Sequence, residues 1–563
     1  MILQALYDYY NRCKDSLPAF GLELREIGFL VVIDREGNFI RFEDRRIDKK
    51  QAQKFLVKKS VGRSSAPVAN YLYDNSAYVL GYSDKGDAEK YFKTFKSKIW
   101  DVYSALPDNA DLKAVHQFYQ LDPCEILHKI KQDSLWEDIV KNLNKKYSTF
   151  SFLIEGDTRI IAEKEELLNL LDKEADSSLK ICLVSGESSS IVETTTATMI
   201  PGSQATAKLV AFQVNSGYDS YGKEKGNNAP IGEYAEFAYT TALNHMLASD
   251  SRNKFLVGTR TFLFWASKDN EAGRQIEESV FSLFGFNENT DNPDQGIEQV
   301  RKVFQSIYTG HLKTSLDDKF YILGLAPNSA RIAVTYWAEI ALREFAERIN
   351  RHFDDMEIVD GRKEQKPYMG LRSMLAAVTL GGKSSDATPN LPEAIVKSIF
   401  QGLPYPQPLY AECIRRIRAE QSVTITRVAI IKAYLNRLNN NEQKIKVMLD
   451  KENTNKGYLC GRLFAVLDKI QGDANGQHSI KERYMNAASA TPAAVFATIM
   501  NLSQHHSEKL SQGRNIFFEK TKQEIIAKLE ADGFPTHLDL QDQGRFFVGY
   551  YHQLQDFYAK SEE

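Results

Sequence analysis

The tightest constraint on this chain is a change of hydrophobic period along its length. FLVVI (Phe29–Ile33), FIRF (Phe39–Phe42), SFLIEGD (Ser151–Asp157), FLFWA, FYILGLAPNSA and RIAVTYW are short, aromatic and β-branched, as strands are. Past the polar stretch LNNNEQKIKVMLDKENTNKG, residues 438–457, the apolar residues fall at helical spacing instead. Leu459, Leu463, Val466, Leu467 and Ile470 mark one helix; Ile516, Ile525, Ile526 and Leu529 a second; Phe547, Tyr550, Tyr551 and Leu554 a third. The chain therefore reads as α+β: a large mixed α/β N-terminal portion followed by an all-α C-terminal helical bundle. The expected division is 1–380 (mixed portion), 381–447 (helical connector) and 448–563 (bundle).

Within the mixed portion, Leu3, Leu6, Tyr7 and Tyr10 predict an opening helix, and FLVVI-DREGN-FIRF a hairpin. YLYDNSAYVLGY reads as mostly extended, KGDAEKYFKTFKSKIW as a helix, and residues 110–175 as mostly helical around SFLIEGD. ICLV (Ile181–Val184) and KLVAFQV (Lys208–Val214) read as strands. Pro230 sits where a helix accepts its first residue, with IGEYAEFAYTTALNHML as that helix.

Lys and Arg total 71 against 74 Asp and Glu, a net charge of -3, so any nucleic-acid contact must be a local patch. The five cysteines are scattered and form no CxxC, which points to a reducing, cytoplasmic setting and no zinc ribbon. The opening MILQALYDYYNRCKD lacks the basic-then-apolar order of a signal peptide, and no apolar run reaches the roughly 18 residues of a membrane span. LGGKSSD fails as a phosphate loop because Ala377 stands where GxxxxGK[ST] needs its first Gly. GxSxG, HExxH and a GxGxxG after a strand are all missing from the sequence. His505-His506 and His352 with Asp354 and Asp355 are thin as metal ligands: adjacent helical residues point about 100° apart. No catalytic residue, metal or cofactor is expected.

Three stretches combine cations with small residues and amides. In the first, Lys58, Lys59 and Arg63 lie with Gly62, Ser64 and Ser65 ahead of Asn70, Tyr71 and Asn75. The cations suit phosphates, the amides base edges, and a solvated hairpin loop is the plain alternative. In the second, Tyr218, Tyr221, Lys223, Lys225, Asn227 and Asn228 occupy a long Gly- and Asn-rich loop. Such a loop either stacks on and wedges a duplex or simply caps the following helix. The third, Lys85, Lys90, Lys93, Lys96 and Lys98, is the usual composition of a solvated helix face. Arg415, Arg416, Arg418, Arg427 and Arg437 form a further cluster open to either reading, with Glu412 and Glu420 as partners.

The segments MILQALYDYY, NSGYDSYGKEKGNNAP with EFAYTTALNHML, FYILGLAPNSARIAVTYW, GYLCGRLFAVLDKIQ and RYMNAASATPAAVFATIM resemble, in order, the large subunits of type I-C CRISPR interference complexes (Cascade). The resemblance implies a non-catalytic subunit beside the one that holds the guide 5′ end, within a guide-RNA–protein complex of backbone subunits. It implies recognition of a short protospacer-adjacent motif in double-stranded target DNA, help in strand opening and R-loop formation, and docking of a separate helicase–nuclease in antiviral defence. It also implies a small subunit made from an internal start in the same gene, which would give Met448 that role. Joined with the chemistry above, it selects Asn70, Asn75, Asn227 and Asn228 for motif reading and Lys58, Lys59, Arg63, Lys223 and Lys225 for phosphates. Tyr71 and Tyr221 are the stacking or wedge residues. A metal-dependent nuclease using Asp354 and Asp355, or a pure assembly scaffold without direct DNA contact, are the alternatives.

Overall fold

The computed structural model describes residues 1–49, 51–61, 67–84, 86, 88–145, 147–170, 179–212, 219, 221–284, 297–361, 370–438, 444–476, 479–529 and 533–559. Two compact units divide the chain. The first comprises Met1–Thr198 with Lys208–His245, the second Met199–Ala207 with Met246–Glu563. The architecture is α+β, with sheets in the N-terminal region and helices in the C-terminal part.

The first unit is built on a mixed four-stranded sheet. Phe29–Ile33 lies parallel to Phe150–Ile154 at its centre, flanked by Phe39–Asp44 and the short Tyr73–Asp74. Both central strands are buried at every position, which is why FLVVI and FSFLI read as unbroken apolar runs rather than alternating ones. The expected hairpin forms, and Asp34 closes its turn by accepting the Asn38 backbone N–H at 2.7 Å. Gly37 is required there: its φ is +84°, and a Cβ would meet the Ala114 carbonyl oxygen at 2.6 Å. Helices Glu89–Ala105 and Ala110–Phe118 bury Phe95, Ile99, Val102, Leu112, Val115 and Phe118 in the same core.

Four local expectations differ from what forms; the first is ICLV, of which only Ile181 lies in a strand, the two-residue Lys180–Ile181. After Tyr73–Asp74, the segment read as extended turns into a short helix, Ser76–Val79, because Asn75 caps it by accepting the Ala77 N–H at 3.0 Å. The helix after Pro230 begins only at Glu233. Pro230 and Ile231 spend their carbonyls on the Leu183 and Val192 N–H groups, and Gly232 bridges Ile191, so these residues extend as an edge instead. KLVAFQV forms no strand among its described residues 208–212.

The second unit carries an antiparallel sheet in the order Arg331–Ala341, Lys319–Asn328, Arg260–Ala266, Lys254–Val257. One continuous apolar core runs from Phe255 in this sheet to Tyr551 in the last helix. Asn439–Gln443 of the polar stretch lie outside the described residues, and the core continues on either side of them. The last helix, Leu540–Tyr558, packs on Lys456–Asn475 at backbone contact: a Cβ on Gly461 would meet the Phe546 carbonyl oxygen at 1.9 Å, and one on Gly549 the Tyr458 carbonyl oxygen at 2.2 Å. The same helix also receives residues from before Met448. Tyr410 Oη donates to the Leu540 carbonyl at 2.6 Å, and Tyr551 Oη donates to that of Val359 at 2.9 Å.

The arginine cluster resolves mostly into internal structure. Arg416, Arg427 and Arg437 are buried; Arg437 pairs with Asp355 and Arg427 with Glu420, each at 2.5 Å. Arg415 is exposed and pairs with Glu412. Asp354 is engaged by Arg301 at 3.0 Å, so both aspartates of the nuclease alternative sit in ion pairs. Among the described residues no three His, Cys, Asp or Glu side chains converge as metal ligands.

Two buried histidines make this unit acid-sensitive. His352, bonded to Tyr405 Oη at 2.8 Å, and His552, bonded to Tyr458 Oη at 2.9 Å, are both held neutral by burial down to about 3, with Arg437 and Lys432 respectively adding to the shift. The unfolded chain takes up these protons near pH 6.5 and the folded chain does not, so stability is lost as pH falls from about 6.5 towards 3. Each histidine contributes a slope of about 1.4 kcal/mol per pH unit. Chemical denaturation between pH 7 and 4.5 is expected to show a shallower loss in His552→Gln than in the parent; parallel slopes would contradict the assignment.

Candidate nucleic-acid interface

The first predicted stretch folds around one aromatic ring. Lys58 ends the strand Lys54–Lys58, pairs opposite Leu22, and lies with its ammonium 5.0 Å from the Tyr71 ring centroid. Lys98, from the helix Glu89–Ala105, lies over the same ring at 3.9 Å. Two ammonium groups on one half-buried tyrosine make a local cationic site stabilised by the ring's π face. Tyr73, whose hydroxyl donates to the Lys58 carbonyl at 2.8 Å, fixes the strand end and is held un-ionised by burial. Asn70 is buried; its side-chain oxygen accepts the Val61 N–H at 2.9 Å, and its own N–H reaches Asp74 at 3.1 Å. Asn70 thus organises the loop. Asn75 uses its side-chain oxygen as the helix cap but is exposed. Arg63, with Gly62, Ser64 and Ser65, lies outside the described residues, as do Tyr218 and Lys85.

The second stretch is a loop clamped at its base with an aromatic at its tip. Tyr221 is 99% exposed and holds a left-handed backbone at φ +54°, followed by Gly222 at +70°. The loop then tightens into a 3₁₀ turn, Lys225–Asn228, with Lys225 itself at φ +46°. Gly226 makes the clamp possible: a Cβ there would meet the Val192 carbonyl oxygen at 1.9 Å, and its N–H donates to Glu193 O at 3.0 Å. Asn228 ties the loop internally, donating to Asp219 Oδ1 at 3.0 Å and to the Lys223 and Lys225 carbonyls at 3.2 Å. Asn227 is exposed and accepts from Lys180 Nζ at 2.6 Å. Lys223 is exposed, while Lys225 pairs with Glu193 at 2.6 Å, which raises its pKa.

One ion pair joins the two stretches. Lys59 Nζ lies 3.1 Å from Glu236 Oε2, on the helix Glu233–Leu247 that follows the loop, and 5.2 Å from the neighbouring Phe237 ring. Glu236 is 4% exposed, and its other oxygen accepts the Thr196 N–H at 2.5 Å. Lys59 is therefore tethered to a buried carboxylate rather than presented to solvent.

A protein-family model described as CRISPR-associated protein (Cas_Csd1) matches residues 6–558. The chain belongs to this family of CRISPR-associated proteins. No curated protein matches it significantly. At the level of a CRISPR-associated protein the resemblance read from the sequence holds, and the setting of this Cas_Csd1 member is a CRISPR complex. No described helix is long and apolar enough to cross a membrane.

In this family member, then, the described parts of the two stretches share one unit. Exposed Asn75, Asn227, Lys223 and Tyr221 stand at its surface, and Asn70, Asn228 and Lys59 hold the backbones that present them. Lys98 is the residue that the sequence hid: five lysines along one segment look like a solvated face, and only tertiary packing brings this one onto Tyr71. Lys59→Met should destabilise the first unit by about 1–3 kcal/mol, because it strips a buried carboxylate of its partner. Adding Glu236→Gln should recover most of that loss in a denaturation double-mutant cycle; additive losses would contradict the pairing.

Proposed function

We propose that the chain is the non-catalytic large subunit of a type I-C interference complex, reading a protospacer-adjacent motif in double-stranded DNA and starting strand opening. The observation that carries this reading is Tyr221. A bulky side chain in the left-handed region costs roughly 1–2 kcal/mol, and a fully exposed ring returns nothing to folding. A ring held out from a clamped loop suits insertion between base steps.

Lys223 beside it and Lys98 at Tyr71 meet phosphates, and Lys225 joins them by exchanging its solvent-exposed Glu193 partner for a phosphate. Lys58 reinforces the charge at Tyr71 from a more buried position. Asn75 and Asn227 present amides to base edges; Asn70 and Asn228 act by positioning them. The CRISPR-associated family supports the setting. Within it, the reading assigns a cytoplasmic guide-RNA–protein complex of backbone subunits and the subunit at the guide 5′ end, with a helicase–nuclease docking later.

Duplex binding by the full-length chain, assembled with its guide-RNA complex, tests this directly. Asn75→Ser, which keeps a capping oxygen, together with Asn227→Ala should cut discrimination between cognate and altered motifs roughly tenfold. Lys98→Ala or Lys223→Ala should weaken all duplexes alike and lower the salt slope by about one each. Tyr221→Ala should bind but open strands slowly, read by 2-aminopurine fluorescence. An unchanged motif preference in the asparagine variant would overturn the reading.

We propose further that residues 448–563 are also made alone, from Met448, as the small subunit. In the full chain Gly544 packs against Tyr410 and Ile431, so the free segment would present that face of Leu540–Tyr558 to a different neighbour. Mass spectrometry of the native complex should find a product starting at Met448 that disappears when its codon is silenced; its absence would contradict the proposal.

A further inference from the structure

We propose that Trp100, Tyr103 and His116 form a second platform, separate from the motif-reading loops, which stacks an unpaired base of single-stranded DNA while Lys96 and Lys113 hold the flanking phosphates. The choice of DNA as partner rests on the reading above; the platform itself rests on geometry. Trp100 is 54% exposed on the helix Glu89–Ala105, an unusual place for the largest apolar side chain. It does not stand alone. Its ring centroid lies 5.1 Å from that of His116 and 6.3 Å from that of Tyr103. Tyr103 and His116 are themselves stacked, 4.7 Å apart with planes 16° from parallel.

Two helices thus preassemble three rings at the surface, so stacking a base on them costs little further ordering. Two lysines flank them. Lys96, Trp100 and Tyr103 recur at helical spacing on one face, and Lys113 stands one turn before His116 on Ala110–Phe118. Among the described residues neither Lys96 nor Lys113 is in an ion pair. Partial burial, reinforced by the Lys96 charge, lowers the His116 pKa and keeps the imidazole a neutral ring; one of its nitrogens is already engaged by Gln120 at 2.9 Å. Of the nearby carboxylates, Asp111 is held by Lys164 at 2.5 Å, and Asp101 lies about 100° around the helix from Trp100. Lys98, which serves Tyr71, lies about 200° around from Trp100, so the two surfaces face different directions.

The test is fluorescence-anisotropy titration of the full-length chain with a labelled thymine homopolymer of about 20 nucleotides, its RNA counterpart, and a motif-bearing duplex. Trp100→Ala should weaken single-stranded DNA binding roughly 5- to 100-fold. Trp100→Phe should retain most of the affinity, and Lys96→Ala with Lys113→Ala should flatten its salt dependence. Motif discrimination on the duplex should be unchanged in all of these, which separates failure here from failure of the motif reading. Wild-type affinity in Trp100→Ala, a loss confined to the RNA arm, or no measurable single-stranded DNA binding by the parent would each overturn the proposal; in the first case the patch is left as a surface for protein.

Discussion

The buried carboxylate of Glu236 is the constraint on which the candidate interface depends. A charge taken out of water needs compensation, and Glu236 receives it from Lys59 and from the Thr196 N–H, with the Lys208 ammonium also close enough to interact. Its partners come from three separate places in the chain. The strand that ends in the Tyr71 site, the segment beside the Gly226 clamp and the helix after the loop are thereby fixed in one unit. Aromatic contacts of Tyr10 and Phe20 with Tyr234 and Phe237 on the same helix reinforce that tie.

The division of labour within the interface follows from exposure and from what each amide holds: Asn75 and Asn227 accept through their oxygens yet stay exposed, while Asn70 accepts from and Asn228 donates to the loops' own backbone. Four asparagines look equivalent in sequence. In the structure Asn70 and Asn228 satisfy backbone and neighbouring groups and so shape the loops, whereas Asn75 and Asn227 remain exposed at their surface. Tyr71 and Tyr221 separate in the same way, one half-buried under two ammonium groups, the other held out on strained backbone.

The elements governed by local pattern were legible in the sequence: the FLVVI hairpin, the aromatic strands of the second sheet and the helices after residue 456 all form. What was not legible depended on distant partners. Pro230 has the right chemistry to open a helix, but Leu183 and Val192 claim the carbonyls around it. Glu420 was legible as a partner for the arginine cluster, but not the burial of Arg416, Arg427 and Arg437, nor the pairing of Arg437 with distant Asp355. Lys98 and Trp100 sit in a lysine-rich segment that suggests solvation, and Tyr71 and His116, the rings they meet from outside their own helix, come from other segments of the chain. The core that runs from Phe255 to Tyr551 likewise passes across the polar stretch that reads as a boundary.

The most direct measurement of the central claim is photocrosslinking of a motif-bearing duplex, substituted with 5-iodouracil next to the motif, to the full-length chain in its complex. Mass spectrometry should place the crosslinks on peptides containing Tyr221–Asn228 and Tyr71–Asn75 of the first unit. Crosslinks confined to residues 246–563, or to other subunits alone, would contradict the account.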